Sequence, residues 1–267
     1  MQSYKDYEIC DAHTHIFPAK VAEKASVAIG DFYETKMKYA GDTENLLKSG
    51  KNINVTKYLV CSVATVPEQV SKINQFIISE CQAHSELIGF GSLHPDNPNF
   101  DEEINVMING GLKGVKLHPD FQKFSIDDEK AFPIYEKCQG KLPILIHMGD
   151  NRYDGSRPFR LANIMREFPK LEVFAAHFGG YRRWDESIAT LMDIENIYFD
   201  TSSTLGFVDL NYAKEIASHF DKDKLMFGTD FPMWDHKEEL ERFFALGFLE
   251  EENKKILADN FKRILKL

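Results

Sequence analysis

Cysteine is sparse: Cys10, Cys61, Cys81 and Cys138 are the only four in 267 residues, and no two form a Cys-x-x-Cys pair. That pattern argues against a disulfide-built scaffold and against a closed structural zinc site. Cys10 and Cys61 fall in apolar runs and read as small packing residues. Positive charge is also short. Against 42 acidic residues stand 32 Lys and Arg, for a formal net charge of −10. No basic cluster is present to track a phosphate backbone, so no nucleic-acid partner is expected. No apolar run reaches membrane-spanning length, which gives no expected membrane contact. Residues 1–8 are polar and lack the apolar core of a secretory leader, so the expected address is cytoplasmic. A Gly-x-Gly-x-x-Gly after the first strand is missing too, which disfavours an open dinucleotide-binding sheet.

What the chain does contain is a regular alternation. Short apolar runs read as strands: residues 7–10 leading into the segment Asp11-Ala12-His13-Thr14-His15, then 55–63, 87–93, 112–118, 142–147, 171–177, 197–201 and 224–230. Helical patterns fall between them at 67–85, 100–109, 128–138, 158–168, 183–192, 210–219 and 236–246. Residues 19–50 mix helical stretches (20–28 and 43–48) with glycine punctuation and are expected to include a loop or lid. A final helix over 250–265 is expected to pack across the bottom or side. Eight strands alternating with eight helices predict one α/β domain over residues 1–267, a (β/α)8 TIM barrel with an extra C-terminal helix.

In such a barrel the chemistry sits at the C-terminal strand ends. His13 and His15 close the first strand and, two residues apart, share one face of it. Lys116 and His118 share a face of the fourth. His147 closes the fifth, His177 the sixth and Asp230 the eighth. Imidazole nitrogen and carboxylate oxygen suit Zn²⁺ and its first-row neighbours. An open position on such an ion can hold a water whose pKa falls from about 15.7 toward about 7.

These segments resemble the amidohydrolase superfamily, in its amidohydrolase-related branch. The matching stretches are 11–15, Gly114-Val115-Lys116-Leu117-His118-Pro119, Ile146-His147, Ala176-His177-Phe178-Gly179-Gly180 and Phe227-Gly228-Thr229-Asp230-Phe231-Pro232. The branch includes decarboxylases of aminocarboxymuconate semialdehyde and of resorcylate, and a pyrone-dicarboxylate lactonase. The resemblance implies His13, His15, His147 and Asp230 as ligands of one divalent ion, Zn²⁺ first, with Asp230 also moving a proton. It implies His177 as a catalytic acid or base. In two-metal relatives the strand-6 histidine binds a second ion and a strand-4 lysine bridges, so Lys116 and His177 keep that alternative open. A homodimer is a further implication.

Three functions fit. The first is a metal-dependent hydrolase using metal-bound water on an ester, lactone or amide. The second is a non-oxidative decarboxylase (carboxy-lyase) of a small hydroxy-carboxylic acid on the same site. The third is a barrel that holds metal without catalysis. Lys116, His118, Arg152 and Arg157 are candidates for binding an anionic, carboxylate-bearing small molecule. The alternative for the two arginines is pairing with aspartates of their own loop. Asp200 is either a partner behind the ligands or a turn residue. His94 reads as satisfied locally, and His84, His219 and His236 as solvated. Phe17, Trp184, Phe231 and Trp234 are candidates for a pocket wall.

Overall fold

A computed structural model describes residues 6–267. Most of the polar N-terminal stretch, residues 1–5, lies outside the described residues. The strands are β1 (Ile9–His15), β2 (Val55–Cys61), β3 (Leu87–Ser92), β4 (Gly114–Leu117), β5 (Ile144–Ile146), β6 (Val173–Ala175), β7 (Ile197–Asp200) and β8 (Leu225–Met226). The α-helices are α1 (Ala19–Tyr33), α2 (Thr43–Lys51), α3 (Val70–Ala83), α4 (Phe100–Asn109), α5 (Pro119–Gln122) and α6 (Phe132–Cys138). They continue with α7 (Pro158–Glu167), α8 (Trp184–Leu191), α9 (Leu210–Ser218), α10 (His236–Ala245), α11 (Glu250–Lys254) and α12 (Asn260–Leu265). Strands pair in sequence order, and every recorded pair is parallel. The ring closes between the last strand and the first: Ala12 N donates to Phe227 O (2.8 Å), Asp230 N to His13 O (2.8 Å) and His15 N to Phe231 O (2.7 Å). The expected eight-stranded barrel is present.

Period-two alternation sorts the strands into two cores. Ile144, Ile146, Val173 and Ala175 face outward into the layer beneath the helices. Leu145, Phe174, Leu59, Phe90 and Met226 face inward and form a plug with Phe261, Ile264 and Leu265 of α12. The C-terminal segment therefore floors the barrel at the end opposite the histidines. Asn260 Nδ2 fastens it by donating to Leu225 O (2.8 Å) and Lys222 O (2.6 Å). Phe261 is fully buried in this plug, and truncating such a side chain to Ala costs about 3–5 kcal/mol. Helix starts are fixed locally. Asp42, Asp209 and Asp235 cap α2, α9 and α10 by accepting from backbone N–H groups of the first turn, a contribution of about 1 kcal/mol each.

One irregularity decides the site. On β1, Asp11 pairs with Tyr58 but Thr14 pairs with Val60, so three residue steps on β1 match two on β2. This bulge reverses the alternation. Cys10 and Ala12 join the floor plug, and His13 and His15 nevertheless also point inward above it. Gly228 makes room: a Cβ there would stand 3.2 Å from both Asp200 Cβ and His13 Cβ.

Candidate metal centre

The expected strand ends 6 and 8 are shorter than the apolar runs that suggested them. Both leave the sheet early, and His177 and Asp230 take left-handed backbone with φ 62° and 58°. Non-glycine residues rarely adopt this conformation, and where the surroundings hold them there the strain marks a constrained site. His177 is held by Trp184, whose Nε1 donates to its carbonyl (3.2 Å), and by its own N–H donating to Asp200 Oδ1 (3.1 Å). Asp230 Oδ2 accepts from Ser203 Oγ (2.5 Å), and Trp234 Nε1 reaches the same hydroxyl (3.2 Å).

Donor atoms of His13, His15 and Asp230 lie within 4.8 Å of one another. His13 Nε2 is 3.2 Å from His15 Nε2 and 3.6 Å from Asp230 Oδ1, and His15 Nε2 is 3.3 Å from the same oxygen. The hydrogen-bond network assigns the tautomers. Asp200 Oδ2 only accepts and faces His13 Nδ1 at 3.1 Å, so that nitrogen carries the proton. Cys61 donates its thiol hydrogen to Thr14 O (3.4 Å) and faces His15 Nδ1 at 3.6 Å, so the proton sits there too. Burial lowers the His15 pKa, but Cys61 and the Asp230 carboxylate together raise it to about 9, so His15 carries a second proton on Nε2, shared with Asp230 Oδ1 at 3.3 Å where the three donor atoms meet. Three electron-rich atoms in that arrangement call for a cation, and the residues fit a divalent one. Lys116, fully buried, supplies positive charge from the side, with Nζ 3.1 Å from His13 Nε2. Burial pushes its ammonium below the usual lysine range.

His147 is oriented by the same hydrogen-bond network. Ser202 Oγ donates to Asp200 Oδ1, so it accepts from His177 Nδ1 (2.9 Å). Neutral His177 then presents its lone pair on Nε2, where His147 Nδ1 donates at 3.1 Å. Burial lowers the His177 pKa to about 4, so the ring is neutral at pH 7. His147 Nε2 is left with a lone pair, buried and without a hydrogen-bond partner. Its donor atom stands outside the His13, His15 and Asp230 group and instead lies near His118 and Asp120. His118 has no spare capacity: Nδ1 accepts from Phe121 N (3.3 Å) and Nε2 meets Tyr33 OH (2.9 Å). Its ring stacks on His147 at 3.9 Å and fixes that ring's plane.

A cavity of about 850 Å³ opens from this cluster, lined by His15, His118, His147, His177 and Asp230 together with α1 and α3 residues. Phe17 walls it, whereas Trp184, Phe231 and Trp234 stand behind the site residues. The two arginines follow the alternative reading. Arg152 pairs with Asp150 (2.7 Å) and donates to Phe32 O (2.7 Å), tying the β5 loop to the end of α1. Arg157 pairs with Asp154 and Glu186, both at 3.2 Å. Neither lines the cavity. His94 is buried and accepts from Asp96 N (3.2 Å), as expected. His236 corrects the sequence expectation of a solvated ring: it is fully buried, with Nε2 3.2 Å from Asp11 Oδ2 and Nδ1 2.8 Å from Ser49 Oγ. Asp11 itself accepts from His13 N (3.0 Å), Thr229 N (3.1 Å) and Thr229 Oγ1 (2.5 Å), joining the two strands that carry the ligands. Sequence reading also missed Tyr33, Ser202 and Ser203. The serines follow Asp200 and Thr201, and a polar run after a strand ending in Asp is the signal that marks them.

Residues 10–267 match the family model described as Amidohydrolase. No curated protein matches the chain. Among solved structures, a 2,6-dihydroxybenzoate decarboxylase in complex with 2,6-dihydroxybenzoate superposes with a TM-score of 0.75 at 19% identity, covering 98% of this chain and 100% of the other. A putative 2-pyrone-4,6-dicarboxylic acid hydrolase from Pseudomonas putida gives 0.66 at 17%, covering 97% of each. A dihydroxybenzoic acid decarboxylase from Polaromonas, with bound manganese and 2-nitroresorcinol, gives 0.73 at 14%, covering 98% and 97%.

Proposed function

We propose, since this chain belongs to the amidohydrolase family, that it is a metal-dependent non-oxidative decarboxylase of a small hydroxy-carboxylic acid. The observation that carries this reading is an apolar cavity ending on the His13, His15 and Asp230 cluster. His13, His15 and Asp230 would hold a first-row divalent ion, Zn²⁺ or Mn²⁺, and His147, whose donor atom lies outside their group, would join them only on a turn of its ring; when bound, the ion supplies positive charge against a substrate carboxylate and adjacent hydroxyl. The remaining work falls to the chain. The cavity wall strips water from the carboxylate, which raises the anion in energy relative to neutral CO2. The carbon–carboxyl bond breaks, CO2 leaves and the electron pair stays on carbon. His177 Nε2, with its other nitrogen fixed by Ser202, relays the solvent proton that this carbon takes up. Lys116 lends further positive charge beside His13. The decarboxylases among the structural neighbours support this direction.

Hydrolysis of a lactone or ester is the second reading. It is favoured by a His177 that is neutral at pH 7 and so able to accept a proton from water. Incubating the metal-loaded protein with a panel of dihydroxybenzoates and pyrone lactones in D2O enriched in oxygen-18 separates the two. CO2 release with one deuterium on the vacated carbon is expected. Ring-opened acid carrying oxygen from labelled water, with no CO2, would contradict decarboxylation.

A further inference from the structure

The cavity has a wall that the chemistry above does not use. On α1, Val21, Ala25, Ala28 and Ile29 follow the spacing of one helix face, and all four line the cavity. The neighbouring stripe, Ala22, Ser26 and Gly30, is buried and packs α1 onto the segment that returns over residues 35–41. Across the cavity, Ile73 and Phe76 of α3 present a second apolar stripe. Val21 remains 41% exposed and Ala28 is exposed, while Ala25 and Ile29 are half-buried, so this face is only partly covered. The polar members of the lining on these helices and the β2 loop, Lys20, Thr65, Gln69 and Lys72, are solvent-exposed and mark the mouth. About 850 Å³ lies near the top of the range of roughly 300–1,000 Å³ for pockets that enclose drug-sized ligands.

We propose that the substrate carries, beyond the carboxyl group processed at the cluster, an extended apolar body, an alkyl or aryl chain longer than one ring, seated between α1 and α3. The occupant is a small molecule because the same cavity is continuous with His15, His147, His177 and Asp230. This inference rests on the metal-centred reading above.

The test titrates the metal-loaded full chain calorimetrically with benzoate, 4-ethylbenzoate and 4-butylbenzoate. Each added methylene is expected to tighten binding by roughly threefold to fourfold, the ~0.8 kcal/mol of a buried CH2. Ile73→Asp and, without adding charge, Ala25→Phe should each flatten that slope. Val27→Asp, on the outer face of α1 where Val27 is 54% exposed, should preserve it. A butyl compound within threefold of benzoate, an unchanged slope in both wall variants, or no binding by any member of the series overturns the proposal. Repeating the titration after metal removal keeps the two readings apart. Carboxylate binding that survives chelation contradicts the metal-centred reading, and the chain-length slope judges the apolar seat independently.

Discussion

Replacing Asp200 by Asn changes one atom and leaves the shape intact, yet it should strip the metal ligands of their orientation. The carboxylate is fully buried and accepts from four donors: His13 Nδ1 and Ser202 N (3.1 and 3.0 Å), His177 N (3.1 Å) and Ser202 Oγ. Burial alone would raise its pKa, but the donors that His13, His177 and Ser202 turn toward it hold it at about 2. An asparagine offers one acceptor and one two-hydrogen donor. In one orientation its NH2 faces His13 Nδ1–H. In the other it faces two backbone N–H groups and a hydroxyl. The first is relieved only if His13 shifts its proton to Nε2, the atom aimed at the metal position, and the second leaves buried donors unpaired. Unpaired buried groups cost about 1–3 kcal/mol each, and loss of a ligand's supporting partner lowers metal affinity by roughly 10–100-fold. Competition against a chromophoric chelator gives the affinity, and urea unfolding of the metal-free protein gives the stability. Asp200→Asn should bind metal at least tenfold more weakly and unfold with a stability lower by about 1–3 kcal/mol. Affinity within twofold of the native chain would refute the tautomer assignment for His13.

Other perturbations follow from the same geometry. Lys116→Met removes a buried cation 3.1 Å from His13 Nε2 and should tighten binding of a single ion about tenfold or more, since like charges ~4 Å apart repel by about 4 kcal/mol at an effective dielectric near 20; weaker binding would instead make Lys116 a bridging ligand. Glu239 is fully buried on α10, and burial, partly offset by Arg242, raises its carboxyl to about 7. A raised acid pKa means the unfolded chain ionises first, so the native protein loses stability from near pH 4.5 up to about 7; Glu239→Gln should therefore gain about 1–3 kcal/mol over the native chain on going from pH 5 to pH 8, and an equal difference at both pH values would refute it. Cys10, Cys61 and Cys138 are buried, and burial lifts the Cys10 and Cys138 thiols to about 11 and about 12. All three should resist an aromatic disulfide reagent at pH 8 until the protein is unfolded, and rapid native-state labelling would contradict that.

The barrel was legible because strand and helix periods alternate cleanly, and the cluster because His13, His15 and Asp230 stand where apolar runs stop. What sequence could not carry is geometry that breaks the period. The bulge in β1 lets Ala12 and His13 both point inward, against strict alternation. The left-handed turns at His177 and Asp230 re-aim residues that a continuous strand would have placed differently. Arg152 illustrates long-range pairing: its loop suggested a substrate carboxylate, but Phe32 O, 120 positions away, lies within reach. His236 looks like a polar residue opening a surface helix, and only the fold brings Asp11 against it. Asp200 was placed at a strand end by its apolar run, and its role emerged once β7 and β1 met across Gly228.

Elemental analysis of the protein after exhaustive dialysis against a metal-buffered solution tests the central claim most directly. One first-row divalent ion per chain is expected for the native protein, and His13→Ala and Asp230→Ala should retain their fold by circular dichroism yet hold none. A folded native protein without metal, or variants that keep a full complement, would contradict a metal centre built on His13, His15 and Asp230.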